Sequence, residues 1–435
     1  MKIAIIGSGL AGLSAAYWLS EDKRNQVTLM DQASRIGLSS HGVDISTLSG
    51  APQTLDVPPR MVGESLWPQL CQLYRQADIA LNPIQSSQSF SVQKANDRQK
   101  SNDCYLRLSD ATRPNVTQLL STASRAIFRD VQRLTKEGRR DLAVQAAQGI
   151  TLHDYLRKNQ YGESFVYQFM YPTLASTVCT CNFDDLDAYP ADLILQSLDS
   201  LFTDAKLMRV AGGTQSVSDK LIAAVADIRM GCGVRSIHTI DNGVVVKTAD
   251  GDAERFDHAI LATQANTAAK LWTNIDEQEK KLLGHIQYST TRVLVHQDTQ
   301  AMPANQRDWS TFNMLTAPGS RTAACTVWMN RFSEVEDCDR NHFQTIIPDE
   351  AEPMAFRYEM DAAEVRLQRP VVTLQSRDVI QQLKDSQQTP NRRVWFAGSW
   401  AEYGIPLLES AVVSSRRCVQ SIQDHQLAPL TPPIA

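Results

Sequence analysis

The chain has 435 residues, 43% of them hydrophobic and 21% charged. This is ordinary globular usage at a length suited to about two to three domains, and it excludes a mainly disordered or collagen-like chain. With 43 basic against 48 acidic residues the net charge is −5, so no broad positive field is available to hold a nucleic-acid backbone or an anionic membrane.

The first residues read as strand, turn and helix. Lys2–Ile6 is a strand-length apolar run that meets Gly7 at once, and Leu10, Leu13, Ala16 and Tyr17 then recur at helical spacing. Val27–Met30 is a second short strand ending at Asp31, which completes a βαβ unit. Residues 42–63 are rich in Gly, Pro and Ser and read as irregular. Trp67, Leu70, Leu73 and Tyr74 predict a helix, 94–103 (KANDRQKSND) a solvated loop, and 114–148 a long helix. Thr151 is a plausible N-cap for a further helix, with Asp154 in the capping-box position.

Gly212-Gly213 precede another helical pattern, and Asp241-Asn242-Gly243 followed by VVVKT is a hairpin signal. HAILA (258–262), RVLV (292–295), CTVWM (325–329) and Val394–Ala397 read as strands. Pro406–Ile422 fits a final helix with Pro at its first position, and 426–435 reads as a flexible tail. The opening apolar run is too short for a secretory signal, and no stretch reaches the ~20 apolar residues of a spanning helix. Eight cysteines are too sparse for a disulfide scaffold, and Cys179 and Cys181 have C-x-C rather than zinc-site spacing. The expectation is a cytoplasmic protein with reduced thiols, no metal and no transmembrane segment.

The chemistry-bearing motif is Gly7-Ser8-Gly9-Leu10-Ala11-Gly12, set between the first strand and the first helix. Gly7 permits the tight turn, Gly9 lets a pyrophosphate approach the backbone, and Gly12 lets helix and strand pack closely. The helix start offers unsatisfied N–H groups and the positive end of its dipole. Asp31, at the end of the next strand, is placed to accept from ribose hydroxyls. Together these features predict dinucleotide binding.

Four segments then resemble the flavin amine oxidase and phytoene desaturase group. They are Asp31-Gln32-Ala33-Ser34-Arg35-Ile36-Gly37, Gly212-Gly213, Gly231-Cys232-Gly233-Val234, and RVWFAG (393–398) followed by Tyr403-Gly404 and a helix. DVPPRM (56–61), MPANQRDWSTFNM (302–314) and VWMNR (327–331) resemble the NAD/FAD-binding amine-oxidase-like branch. The resemblance implies FAD, with Gln32, Arg35 and Gly37 extending its contact, Val234 holding the adenine, and Gly398 closing over pyrophosphate and ring. It implies an α/β fold of glutathione-reductase type. A discontinuous FAD-binding Rossmann domain (1–60, 205–265, 390–425) would join a mixed α+β substrate domain (61–204, 266–389).

Leu38 replaces the usual second glycine after Gly37, and Ser414-Ser415 the usual Ser-Gly of the final helix. No cysteine lies between Gly398 and Ser415, so the FAD is expected to be non-covalent. The resemblance places Arg60 near the flavin ring, in contact with flavin or a substrate carboxylate. It places Trp400 and Tyr403 beside the substrate, and Arg292 where amine oxidases hold a lysine. Each has a plainer alternative: a loop salt bridge for Arg60 and ring packing for the aromatics. His41 and His296 are candidate bases or structural hydrogen-bonders. A redox pair of Cys179 and Cys181 is disfavoured by its strained spacing.

Only one dinucleotide fingerprint is visible. The implied activity is therefore direct hydride transfer from a small-molecule C–H bond to flavin N5, by amine oxidation or C–C desaturation. A flavin-dependent isomerase or a non-catalytic FAD-binding module are the alternatives. The oligomeric state is open.

Overall fold

The computed structural model describes residues 1–45, 53–96, 99–109, 121–204, 206–333, 340–348 and 363–427. The segment Lys2–Ile6 is the central strand of a five-stranded sheet. The order is Val394–Phe396, His258–Leu261, Lys2–Ile6, Gln26–Asp31, Asp227–Met230, and every pairing is parallel. Both faces are buried: Ile3 and Ile5 point into one core cluster, Ala4 and Ile6 into another. That explains an unbroken apolar run where a half-exposed strand would alternate. The first face carries the helices Leu10–Glu21, Gly213–Ile222 and Leu408–Leu427. The second carries an antiparallel meander, Val234–Ile240, Gly243–Thr248 and Ala253–Phe256, whose first turn pairs Ile240 with Gly243 across Asp241-Asn242.

The second layer is a seven-stranded mixed sheet. Its order is Ala363–Pro370, Tyr288–His296, Phe343–Pro348, Ala323–Trp328, Phe312–Thr316, Gln88–Asn96, Gln99–Leu108. Its apolar side packs Phe90, Leu106, Val293, Val295, Met314 and Val327 against helices that include Thr122–Ala143, Leu152–Lys158 and Ala191–Asp204. At Thr151 the hydroxyl accepts from the Asp154 N–H at 3.1 Å, as the capping signal requires.

The structure departs from the sequence reading in three places. Residues 94–96 and 99–103 lie in the paired strands Gln88–Asn96 and Gln99–Leu108 rather than in a loop. This is an edge ribbon, where backbone pairing tolerates a polar string. The final helix begins at Leu408, two residues after Pro406. Helix Pro68–Gln76, expected in the substrate domain, buries Leu70, Leu73 and Tyr74 in the core shared with Leu10–Glu21 and the final helix. Of the 114–148 pattern, Thr122–Ala143 is helical and residues 114–120 lie outside the described residues. Most of the expected tail, 428–435, lies outside them too.

His296 ends the strand Tyr288–His296 and is 4% exposed, with Nε2 2.7 Å from the Thr345 hydroxyl. Burial pushes its pKa down to about 4. The unfolded chain binds a proton near pH 6.5, and the folded one does not until about pH 4. Stability is thus full above pH 6.5 and falls as the pH drops towards 4, by about 1.4–2.7 kcal/mol at one to two pK units of effective shift. Chemical unfolding of wild type and His296→Gln across this range should show the difference between them shrinking on acidification. A constant difference would contradict a buried neutral imidazole.

Candidate active site

The glycine turn is built from close contacts. Gly7 adopts φ +106° and donates to the Met30 carbonyl at 2.8 Å. A Cβ on Gly12 would fall 1.8 Å from the Gly7 carbonyl oxygen, so only glycine lets the helix rise this close to the strand. Gly9 is the opposite case: a Cβ there would meet nothing within 4 Å. Its open face looks into a cleft of about 650 Å³ that is also lined by Gly7, Ser8, Leu10 and Ala11. The helix that starts there has no acidic residue in its first turn, so its N–H groups and dipole face the cleft uncompensated.

Asp31 and Gln32 line the same cleft. The Asp31 Oδ2 accepts from the Ser8 N–H at 2.6 Å and the Ser8 hydroxyl at 2.7 Å, and Oδ1 accepts from the Ala33 N–H at 2.9 Å. Oδ2 is thus fully engaged, and Oδ1 retains acceptor capacity for a ligand hydroxyl. The strand Asp227–Met230 runs beside Gln26–Asp31 and turns at Gly231-Cys232, whose N–H groups bond Ala33 and Asp31 carbonyls. This turn carries Val234 to the cleft wall. Gly37 sits above Leu13 and Ser218, with its N–H on the Ser8 hydroxyl. Leu38, the departure from the glycine pattern, is buried and lines the cleft beside His41. Arg35 is exposed, donates to the Gly42 carbonyl, and is not among the lining residues.

On the far wall Gly398 and Trp400 close the cleft, and the Trp400 indole donates to the Thr263 carbonyl at 2.8 Å. Ser414 bonds both backbone groups of Gly398, and Ser415 donates to the Ala11 carbonyl at 2.9 Å. The Ser-Ser departure therefore fixes the two walls together without filling the cleft. The open room at Gly9, the bare helix start, and the carboxylate at the end of the next strand all fit a dinucleotide such as FAD.

A second cavity of about 570 Å³ adjoins the first, and Pro58, Arg60, Arg369, Leu407 and Leu408 line both. Away from that seam its walls are mainly apolar, with Leu174, Val178, Leu198, Leu201, Phe312 and Met314. Arg60 reaches this seam because its segment is anchored. Asp56 accepts from the Thr214 N–H at 2.8 Å and from the Thr214 hydroxyl, and Gly213, at φ +72°, is where a Cβ would come 3.0 Å from that carboxylate. The mid-chain glycine pair thus serves the DVPPR segment. The Arg60 Nε is sealed from solvent without a hydrogen-bond partner, and burial, then the nearby Arg369, push its pKa down to about 10.

Tyr403 lines the second cavity, not the first. The Arg377 guanidinium lies 4.7 Å from the centre of its ring, donates to its hydroxyl at 3.3 Å, and pairs with Asp192. Burial raises the Tyr403 pKa. Burial, then the Arg60 charge, lower that of His41, which favours a neutral imidazole there.

Arg292 does not reach either cavity. Its neighbours Thr291 and Val293 line the cleft, so strand alternation turns Arg292 to the other face, 3.8 Å from Glu364. It cannot stand in for a lysine at the flavin ring. His296 lines neither cavity. Cys179 and Cys181 are buried and unpaired, and Thr180 between them lines the cleft. Sequence reasoning missed Arg369. In the alternating run from Ala363 to Pro370 it reads as one more solvent charge, and only pairing against Tyr288–His296 turns it inward with Leu367.

A glycine-turn cleft fit for a dinucleotide adjoins a second, largely apolar cavity on a two-layer α/β architecture. Residues 10–423 match the family of flavin-containing amine oxidoreductases, and the chain belongs to that family. No curated protein sequence matches it. Among solved structures, it is similar to a putative protoporphyrinogen oxidase from Exiguobacterium sp. 255-15 (17% identity, 98% of this chain and 99% of that one, TM-score 0.68). It is also similar to the cyclohexylamine oxidase of Brevibacterium oxydans IH-35A (14%, 98% and 99%, TM-score 0.67). A third likeness is to a CLA-producing fatty acid isomerase from P. acnes (14%, 96% and 97%, TM-score 0.66). At these identities the likeness concerns the fold. Among the described residues no helix is long and apolar enough to cross a membrane, and no group of three or more His, Cys, Asp or Glu side chains could hold a metal.

Proposed function

We propose that the protein is an oxidoreductase with non-covalently bound FAD that takes a hydride from a C–H bond of an apolar small molecule. The observation that carries this reading is the shared wall: the cleft that begins at the glycine turn ends where the apolar cavity begins, at Pro58, Arg60, Arg369, Leu407 and Leu408. A ligand spanning the first cavity would present its far end to a substrate in the second.

Gly9, Ser8 and the helix start would hold the pyrophosphate, Asp31 the ribose, and Val234 the adenine, with Gln32 and Gly37 shaping that end. Gly398 and Trp400 would back the ring. Among the described cysteines only Cys232 lines the cleft, next to Asp31. Among the described residues the ring end is therefore without a thiol, which favours non-covalent binding. When bound, FAD supplies the two-electron acceptor.

The chain itself positions the substrate and keeps water out. Leu407, Leu408 and Pro58 cover the seam, and Tyr403, steadied by Arg377, lines the substrate side. Oxidation would remove a hydride from the substrate carbon, taken up by the flavin, and release a proton from the adjacent nitrogen or carbon to solvent, giving an imine or an alkene. The apolar lining and the absence of a lysine at the Arg292 position favour the alkene.

Anaerobic mixing of the yellow holoprotein with apolar candidate substrates tests the reading. Loss of the oxidised flavin absorbance with one product equivalent per flavin is expected. Product without any bleaching would mean isomerisation, and neither signal across saturated acids, esters and amines would refute the oxidoreductase reading.

A further inference from the structure

The second cavity contains charges of both signs, but only the acids are spoken for. Glu402 is held by Lys384 and Arg417. Glu409 accepts from the Gln69 and Leu70 N–H groups at 3.0 and 2.8 Å, capping the helix Pro68–Gln76. The cations differ. The described hydrogen-bond partner of Arg369 is the Val178 carbonyl, at 2.9 Å. Among the described residues neither Arg369 nor Arg60 has an ion pair, and both Asp56 oxygens are engaged by Thr214. Two enclosed guanidiniums that face the same junction are costly without a counter-charge. The same pair would repel a protonated amine at that place. Their forked N–H groups match the two oxygens of a carboxylate.

We propose that Arg60 and Arg369 form an anion seat at the seam of the two cavities, and that the substrate is an apolar carboxylic acid, bound as carboxylate there with its hydrocarbon body in the second cavity. This rests on the redox reading above and narrows its substrate class. Arg369 is the specificity-determining residue, since it comes from the substrate sheet. The acid end is held at the junction, so the carbons close to the carboxylate are the ones brought to the flavin side.

The test is a binding titration of oxidised holoprotein with saturated fatty acids of eight to sixteen carbons and their methyl esters, followed by the visible flavin spectrum and by calorimetry. At pH 7.5 at least one acid should bind about 10- to 100-fold more tightly than its ester. Arg369→Gln and Arg60→Gln should each remove most of that preference while leaving the ester's affinity within a factor of about two, and Arg369→Lys should restore part of it. Thermal unfolding and flavin content separate these effects from misfolding. If Arg369→Gln does not fold, Arg60→Gln decides alone.

Equal binding of acid and ester, or a preference that survives in the variants, would overturn the anion seat. So would no binding anywhere in the series. Esters that bleach the flavin as readily as acids would sink this inference and leave the oxidoreductase reading standing. An acid that binds tightly but is never oxidised would do the reverse. A change confined to the reduced flavin would mean that the arginines serve the cofactor only.

Discussion

Gly9→Leu should fold normally and purify colourless. Nothing lies within 4 Å of the position a Cβ would take at residue 9, so the protein loses no internal contact and its unfolding midpoint should move little. The new side chain would instead occupy the space beside the helix start, where a diphosphate must lie against the backbone N–H groups. Flavin content, read as the ratio of visible to ultraviolet absorbance, should fall to below about a tenth of wild type, equivalent to more than ~1.4 kcal/mol of binding free energy. Gly12→Ala serves as contrast: its Cβ would sit 1.8 Å from the Gly7 oxygen, so it should lose flavin and stability together. A yellow Gly9→Leu protein would remove the dinucleotide from this turn.

The second large effect lies behind the other face of the sheet. Arg392 and Glu279 form an ion pair of 2.7 Å with side chains only 8% and 6% exposed. The guanidinium lies 4.9 Å from the Trp272 ring centre and 5.4 Å from that of Phe396. Removing the carboxylate strands a cation in an apolar site. Glu279→Ala should therefore cost about 3–5 kcal/mol in chemical unfolding, whereas replacing both partners by leucine and methionine should cost much less. A loss below about 1 kcal/mol in the single variant would show that the pair is hydrated.

The nucleotide end of the site was legible because its chemistry is local. Gly7, Gly9, Gly12 and Asp31 fall on one βαβ unit, so spacing alone brings them together, and the structure sets Gly7, Gly9 and Asp31 around one cleft with Gly12 packed against Gly7. Long-range features were not readable in the same way. Arg369 joins Arg60 only through the register of Ala363–Pro370 against Tyr288–His296. A shift of one residue would have turned Arg369 away and brought its neighbours in. The same alternation removed Arg292 from the site, although its strand was read correctly. The polar strand ends 94–96 and 99–103 are not legible in the sequence because edge pairing is a backbone property that leaves no apolar period. Helix Pro68–Gln76 had a clear periodicity, but a period says which face is buried and not which core receives it.

The parallel sheet is completed by Val394–Phe396, and the serines that follow join Gly398 and Ala11 across the cleft. During synthesis, then, the glycine turn is made long before its opposite wall. Until that wall docks, the His258–Leu261 edge stays bare and the nucleotide has only half a groove. A product ending before residue 390 should therefore be both colourless and prone to associate through that open edge.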